Sequence, residues 1–505
     1  MNRSTLSLIA ATAALAALTG VAAATSPEDG RAAAPQAAQT LPVERSSLLC
    51  PSPSDSDLAE TAYSTFTPKS AGAASGGAAE LRPSPTEVKD GKNAEEAVKT
   101  GEPVLTAKEP GKPVDSKSVS GSKEPSLVGL ATGALAPGWT VQQTTTIDAG
   151  ADRSLRGLSC GAPDADFWLP GVSTAKDRSD YVHLTNPDDS ATVVDIELYG
   201  TKGAVKSEVG EAIQVPPLST VPVLLSTLTD DPEDDLTAHV TARSGRISTA
   251  VLASQSSAGS DWLTPSADPA PRLVLPGIPA DATDVRLVAF APGAEDADLK
   301  IQLAGKSSSI TPAGHEVLHV KSGMTASADL GALTRGEAGS LVLSPSGEDG
   351  STPVVAALRV TRGKGANRET AFIPATAPVG PRATVAGNRA KHVKLTLAAP
   401  TANAEVKVTA SAGSKGGTAA SKTYSLRKGT SQTVEPPAPG GGDGTYALTL
   451  EPEGGTGAGV YAARELDATS DSADGVPLFT VQPLADDRGT VRVPRTRQDL
   501  RVLER

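Results

Sequence analysis

A zinc-protease pattern is the most suggestive chemical feature of the sequence. His315 and His319 flank the motif His-Glu-Val-Leu-His, which binds zinc when a helix places both histidines on one face. The segment aligns with Thr220–Leu224 and Thr430–Val434 in two sister repeats, and both of those segments have the composition of strands. Strand residues four positions apart are separated by about 13 Å, too far to share one zinc ion. The motif therefore predicts a strand and no metal site.

A second pattern is typical of penicillin-recognising enzymes. Ser173 and Lys176 form a Ser-x-x-Lys match, and residues 99–101 form Lys-Thr-Gly. That chemistry needs the serine at the start of a helix and the Lys-Thr-Gly strand later in the chain. Here the serine lies in a predicted turn and Lys-Thr-Gly precedes it. We interpret both matches as coincidental.

Acidic clusters and tryptophans are the remaining candidates. Residues 230–235 (Asp-Asp-Pro-Glu-Asp-Asp) and 295–298 (Glu-Asp-Ala-Asp) carry oxygens that could bind Ca²⁺, but Asp and Pro also favour solvated turns. Trp168 and Trp262 could stack on a sugar, or could pack the junctions between domains. We favour the turn and the junction. The sequence therefore predicts no catalytic residues, no metal and no cofactor.

The elements that position these residues recur every 100 residues or so. The copies are predicted at residues 166–264, 265–368 and 369–472. They open with apolar strands that run into Pro or Gly, at Phe167–Gly171, Leu273–Gly277 and Phe372–Pro374. Strict alternation of apolar and polar residues indicates antiparallel sheets with one solvated face. The predicted fold is all-β, a tandem array of immunoglobulin-like β-sandwich domains that forms a semi-rigid rod. Propeller blades are shorter than this repeat.

Outside the repeats, an N-terminal β region is predicted at residues 41–165, with a disordered insertion at about 70–126 that is rich in Lys, Glu, Gly and Ser. The chain has only two cysteines, Cys50 and Cys160. Because exported proteins preserve disulfides, we predict a structural disulfide between them.

The two ends indicate export. Residues 1–24 combine a short basic start with an apolar run and Ala22-Ala23-Ala24, the pattern of a signal peptide; an uncleaved anchor is the alternative. Residues 25–40 read as a flexible spacer and 473–505 as a C-terminal strand with a basic tail. A net charge of −12 argues against a nucleic-acid partner. Membrane contact is expected only through the N-terminal segment, if it is retained.

Several segments together resemble a known family. They are Leu48–Pro51, Cys160–Pro163 with Asp166–Trp168, and Asp180–Pro187. The chain resembles the domain-of-unknown-function 5719 family, uncharacterised secreted proteins of high-GC Gram-positive bacteria, over nearly its whole length. The resemblance implies an extracellular or envelope setting, and brings no activity and no catalytic residues.

The predicted function is that of an exported, non-enzymatic, envelope-associated scaffold, structural or adhesive. Its partner would be an envelope protein or glycan, not yet identified. The first alternative is an accessory protein that binds cell-wall carbohydrate. The second is an envelope enzyme with a site between domains, which a polar junction pocket with converging carboxylates would favour.

Overall fold

The fold was taken from a computed structural model, which describes residues 38–84, 101–150, 152–256, 258–347, 351–365, 367–453, 459–468 and 478–494. These residues form β-strands, turns and two short 3-10 segments, Gly133–Leu135 and Leu225–Thr227. The predicted all-β class is confirmed. No helix in the described ranges is long and apolar enough to cross a bilayer. The predicted signal peptide and most of the predicted spacer lie outside the described residues.

The chain divides into two compact units. The smaller comprises residues 1–41 and 491–505, and its described part contributes to a two-stranded sheet of β1 (Gln39–Pro42) and β37 (Thr490–Val493). The larger unit, residues 42–490, holds all the other strands.

The larger unit begins with a β-sandwich that contains much of the segment predicted to be disordered. Its strands are β2 (Arg45–Cys50), β3 (Glu60–Phe66), β4 (Ala79–Pro83), β5 (Leu105–Ala107), β6 (Val114–Asp115), β7 (Val119–Ser120), β8 (Leu127–Thr132), β9 (Thr140–Ile147) and β10 (Ser154–Ser159). One sheet has the order β2-β8-β4-β5; the other has β10-β9-β3-β6, with β7 also paired to β3. Disorder was the wrong prediction for both flanks of the insertion, because Leu81 and Leu105 are buried in this core. Residues 85–100 lie outside the described chain.

The second sandwich matches the first predicted repeat. Its strands are β11 (Asp166–Val172), β12 (Arg178–Thr185), β13 (Thr192–Gly200), β14 (Gly203–Val205), β15 (Ile213–Val215), β16 (Thr220–Leu224), β17 (Leu236–Ala242), β18 (Ser248–Gln255) and β19 (Gly259–Leu263). The third sandwich follows with β20 (Leu273–Ile278), β21 (Ala282–Phe290), β22 (Ala297–Ala304), β23 (Ser309–Ile310), β24 (Val317–Val320), β25 (Thr325–Asp329), β26 (Gly339–Pro345), β27 (Val355–Lys364) and β28 (Asn367–Pro374).

The fourth sandwich has β29 (Ala383–Asn388), β30 (Val393–Ala399), β31 (Ala404–Ala410), β32 (Ala420–Leu426), β33 (Thr430–Val434), β34 (Tyr446–Glu453), β35 (Tyr461–Asp467) and β36 (Phe479–Leu484). Its boundaries differ from the prediction at both ends. Phe372–Pro374 is not the opening strand of this repeat, because it belongs to β28 and pairs with β27 in the third sandwich. The strand predicted in the C-terminal segment is β36, which completes the fourth sandwich.

All four sandwiches share one topology. In the fourth sandwich the first, sixth, third and fourth strands form one sheet (β29-β34-β31-β32), and the fifth, second, seventh and eighth form the other (β33-β30-β35-β36). The other three sandwiches have the same order once one short additional strand in each (β7, β15 and β24) is left out of the count. Alternation explains the layers: Leu299, Ile301 and Leu303 are buried in the core of the third sandwich while Lys300 is exposed. The protein thus has four copies of the unit, and the first is interrupted.

The four sandwiches form a closed ring. The opening strands β11, β20 and β29 pack on the second and seventh strands of the next sandwich: β21 and β27, β30 and β35, and β3 and β9. The final strands β10, β19, β28 and β36 each contact the next, and β36 contacts β10. The fourth sandwich therefore packs against the first, and the predicted rod is wrong. Sequence periodicity reports the repeat but not the surfaces on which the repeats meet.

Candidate functional site

The centre of the ring is where the final strands converge, and each sandwich contributes one polar side chain to it. We call Arg156, Asp261, Glu369 and Thr480 the ring centre. They lie on β10, β19, β28 and β36 in that order. Each is buried, with Asp261 1 % and Glu369 0 % exposed.

Two hydrogen bonds at the ring centre join sandwiches that are not neighbours in the ring, and a third joins neighbours. The backbone N–H of Leu155 in the first sandwich donates to Glu369 Oε1 of the third, at 3.1 Å. The Thr480 hydroxyl of the fourth donates to Asp261 Oδ2 of the second, at 2.8 Å. Asp261 Oδ1 also accepts from the Gly157 N–H at 3.1 Å. Both carboxyl groups thus satisfy N–H donors on β10, which is an edge strand of its sheet.

The arginine of the ring centre binds hydroxyl groups. Its Nε donates to Ser260 at 2.8 Å and to Ser154 at 3.2 Å, and Nη1 donates to Ser54 at 3.2 Å. Burial lowers the pKa of Arg156 and raises the pKa of Asp261 to about 8. Burial also raises the pKa of Glu369 well above its usual range. Desolvation outweighs the attraction between unlike charges for all three groups.

Close packing fills the space around these groups. A Cβ atom on Gly157 would lie 2.6 Å from Thr480 Cγ2, and one on Gly259 would lie within contact of the Glu369 carboxyl. Glycine at these positions therefore lets the final strands approach one another. A substrate has no room to reach the carboxyl pair in this arrangement.

A disulfide closes the first sandwich beside its junction with the second. Cys50 ends β2 and Cys160 follows β10, with their Cα atoms 4.6 Å apart, so the predicted disulfide is confirmed. Beside it is a cavity of about 70 Å³ lined by His183 and Thr249 among others. His183 Nδ1 and Thr249 Oγ1 have no hydrogen-bond partner among the described residues. Burial lowers the pKa of His183 to about 4, so its ring is neutral.

The same junction carries a larger open groove on the outside of the ring, with a volume of about 720 Å³. We call it the junction groove. One wall is the outer face of the β2-β8-β4 sheet, and the other is formed by turns of the second sandwich; the lining includes Arg45, Glu80, Arg82, Val128, Leu130, Asp188, Asp189, Leu218 and Arg246.

Charges in the junction groove are largely paired. Arg82 bonds Glu80 at 2.6 Å on one wall, and Arg246 bonds Asp188 at 2.9 Å on the other. Arg45 and Asp189 are exposed and make no ion pair with any described residue. Among the described residues that line the groove, Arg45 and Asp189 thus present a cation and a carboxylate outside any ion pair, together with the partly exposed side chain of Leu130.

The chemical motifs of the sequence lie elsewhere. His319 is on β24, and its Nδ1 lies 2.8 Å from Asp298 Oδ1, so the prediction of a strand there is confirmed. His315 precedes that strand. The described residues hold no group of three or more potential metal ligands. Ser173 is buried and its hydroxyl donates to Asp234 at 2.8 Å. Lys99 and Thr100 lie outside the described residues.

One of the acidic clusters belongs to a junction. Within residues 230–235, Asp235 is buried and pairs with Arg286 of the third sandwich. The tryptophans also follow the favoured interpretation. Trp168 stacks on Phe290 of the third sandwich with ring centroids 5.3 Å apart. Trp262 packs with Leu158 of the first.

Sequence reasoning missed the ring centre. Asp261 stands directly before Trp262-Leu263, and Glu369 shortly before Ala371-Phe372-Ile373. A carboxylate just before the apolar half of a strand was the available signal, because such a residue is buried only with partners. Without the ring, those partners could not be named.

These features define a class of protein: an all-β ring of four sandwiches with a closed polar centre. The chain belongs to the family of unknown function DUF5719, which matches residues 115–437. That match runs from the first sandwich into the fourth. No curated protein matches the sequence.

Proposed function

We propose that this protein is a non-enzymatic binding scaffold that works outside the cytoplasm and holds an envelope protein or glycan in the junction groove. One observation carries the proposal: the carboxyl groups of the ring centre, whose pKa values are raised by burial, do not line the open junction groove. Asp261 and Glu369 are enclosed at the ring centre, while the open groove is lined by carboxylates that largely pair with arginines. An enzyme that uses acid–base catalysis would need carboxyl groups with shifted pKa values beside its substrate.

The ring itself supports a scaffold. Four sandwiches joined around a closed centre make a body that holds the two walls of the junction groove at a fixed spacing, so a ligand meets a pre-organised surface. The Cys50–Cys160 disulfide ties the first and last strands of the first sandwich together beside this junction and is favoured in an oxidising compartment. The free charges of Arg45 and Asp189 would pair with a ligand that carries both signs or many hydroxyl groups.

The test is retention of purified cell-wall glycan and of envelope proteins on the immobilised full chain. The double variant Arg45→Ala/Asp189→Ala should lose retention at least tenfold. The matched control is Glu405→Ala/Lys407→Ala, which removes one charge of each sign from an exposed strand face of the fourth sandwich and should retain the ligand. Equal retention by both variants would exclude the groove, and hydrolysis of a wall fragment without retention would overturn the scaffold.

A further inference from the structure

The two carboxyl groups of the ring centre accept hydrogen bonds from neutral donors but have no ion-pair partner among the described residues. Neither Asp261 nor Glu369 forms an ion pair with a described residue, and the guanidinium of Arg156 donates to serines. Glu369 Oε2 has no hydrogen-bond partner among the described residues. An ionised carboxylate in such a place carries a large desolvation cost, whereas the neutral acid does not.

The charged groups that face the pair are few. Arg156 acts on both acids, Arg153 acts on Glu369, and the two acids lie close enough for Asp261 to disfavour ionisation of Glu369. The attraction of Arg156 is shared with Asp55 and Asp152, which face it from the first sandwich. The electrostatic balance therefore favours neutral acids at the ring centre.

The protonation state of Asp261 and Glu369 affects the ring because both acids make contacts between sandwiches. Glu369 links the third sandwich to the first, and Asp261 links the second to the first and the fourth. These contacts tie opposite sides of the ring. Charging the acids would bring two unpaired negative charges into the place where all four final strands meet.

We propose that the ring centre is a pH-dependent lock, in which protonated Asp261 and Glu369 hold the four sandwiches together and their ionisation at alkaline pH loosens the final strands. The sign follows from linkage. The closed ring binds these protons more tightly than the opened one, so raising the pH draws the equilibrium toward opening.

Hydrogen exchange tests the lock on the full chain. The reporters are the Leu155 and Gly157 amides, which donate to the two acids, with exchange corrected for intrinsic base catalysis. For each acid, protection should fall about tenfold per pH unit as the pH rises toward the pKa of that acid in the closed ring, about 8 for Asp261, and should level off above it. In Asp261→Asn/Glu369→Gln the profile should be flat over the same range, and the control Glu405→Gln, on an exposed strand face of the fourth sandwich, should behave as the wild type. A double variant that keeps the wild-type slope would overturn the proposal.

A measurement on the wild type alone guards against a variant that fails to fold. The infrared spectrum at pH 7 should contain the carbonyl band of protonated carboxyl groups, and the band should disappear on titration through the pH at which the loss of protection levels off, about 8 for Asp261. Absence of that band at pH 7 would show that the acids are ionised in the closed ring, and would also overturn the lock. Neither result bears on the junction groove, which is tested by retention of ligand.

Discussion

Substitution of Arg464 by Met tests whether the ring is held closed by polar contacts between its first and last members. Arg464 is fully buried on β35. Its Nε donates to Gln482 Oε1 at 2.9 Å, and Nη1 donates to the Ala386 carbonyl at 2.5 Å and to Asn388 Oδ1 at 3.2 Å. Nη2 donates to Gln142 Oε1 of the first sandwich at 3.1 Å. Methionine has similar length and no donor.

The magnitude follows from the four acceptors. Each loses a charged donor, and a hydrogen bond to a charged group contributes about 1.5–3 kcal/mol. Replacing the guanidinium also removes the cost of keeping its charge away from water, which offsets part of this sum. Removing one side of a buried charged network typically costs about 3–5 kcal/mol. We expect Arg464→Met to lower the free energy of unfolding by about 4 kcal/mol.

Urea unfolding followed by circular dichroism measures that change, and hydrogen exchange locates it. Exchange should accelerate first in β9 and β29, which face each other across this junction. The matched control is Arg243→Met, because Arg243 pairs with Asp195 at 2.5 Å on the surface and an exposed ion pair contributes at most about 1 kcal/mol. If both variants lost the same small amount, the ring would not depend on the Arg464 network.

Three further changes test other parts of the ring. Replacing Cys50 and Cys160 by Ser should lower the free energy of unfolding by about 2–4 kcal/mol, read from urea unfolding without reductant; no loss would mean that the junction alone fixes these strands. Gly277→Ala should lower the free energy of unfolding by about 2 kcal/mol, since φ is +95° and the new Cβ would lie 2.9 Å from Ala463 Cβ. The control Gly293→Ala, where a Cβ would have nothing within 4 Å, should leave stability unchanged. Equal Tm values for the two variants would refute this prediction. Because the pKa of Asp261 is raised when folded, its contribution is present at acid pH and is lost as the pH rises toward 8; Asp261→Asn should remove a stability slope of about 1.4 kcal/mol per pH unit in that range, measured by urea unfolding at several pH values.

The sandwich fold could be predicted from the sequence because the alternation of apolar and polar residues within a strand shows which of its side chains are buried. Alternation such as Val194, Ile196 and Leu198 against exposed Glu197 needs no knowledge of distant residues. The first sandwich was missed because its third and fourth strands, Ala79–Pro83 and Leu105–Ala107, are short and separated by a stretch rich in Lys and Glu. Composition averaged over that window concealed two strands that reach the core.

The start of the fourth sandwich was misassigned for a related reason. Phe372-Ile373-Pro374 and Leu275-Pro276 have the same apolar character, but one lies on a final strand and the other on an opening strand. Both kinds of strand are buried on two faces, one toward their own core and one toward the neighbouring sandwich. Hydropathy therefore cannot distinguish them. The pairing partner decides, and partners lie far apart in the chain.

The chemistry of the ring follows from its connectivity. Three junctions join sandwiches that are consecutive in the chain, so short linkers already bring their surfaces together. No linker joins the fourth sandwich to the first, and there the contacts are directional: Arg464 reaches Gln142 across 322 positions, and Asp115 accepts from Ser414 at 2.7 Å and Thr445 at 2.5 Å. Apolar packing would tolerate a shift of register, whereas buried polar groups tolerate only the arrangement that satisfies them. Ion pairs also join the second sandwich to the third, through Asp235 and Arg286, and the third to the fourth, through Arg362 and Asp467. Polar contacts therefore help to align these junctions too, but at the junction of the fourth and first sandwiches no linker shares that role.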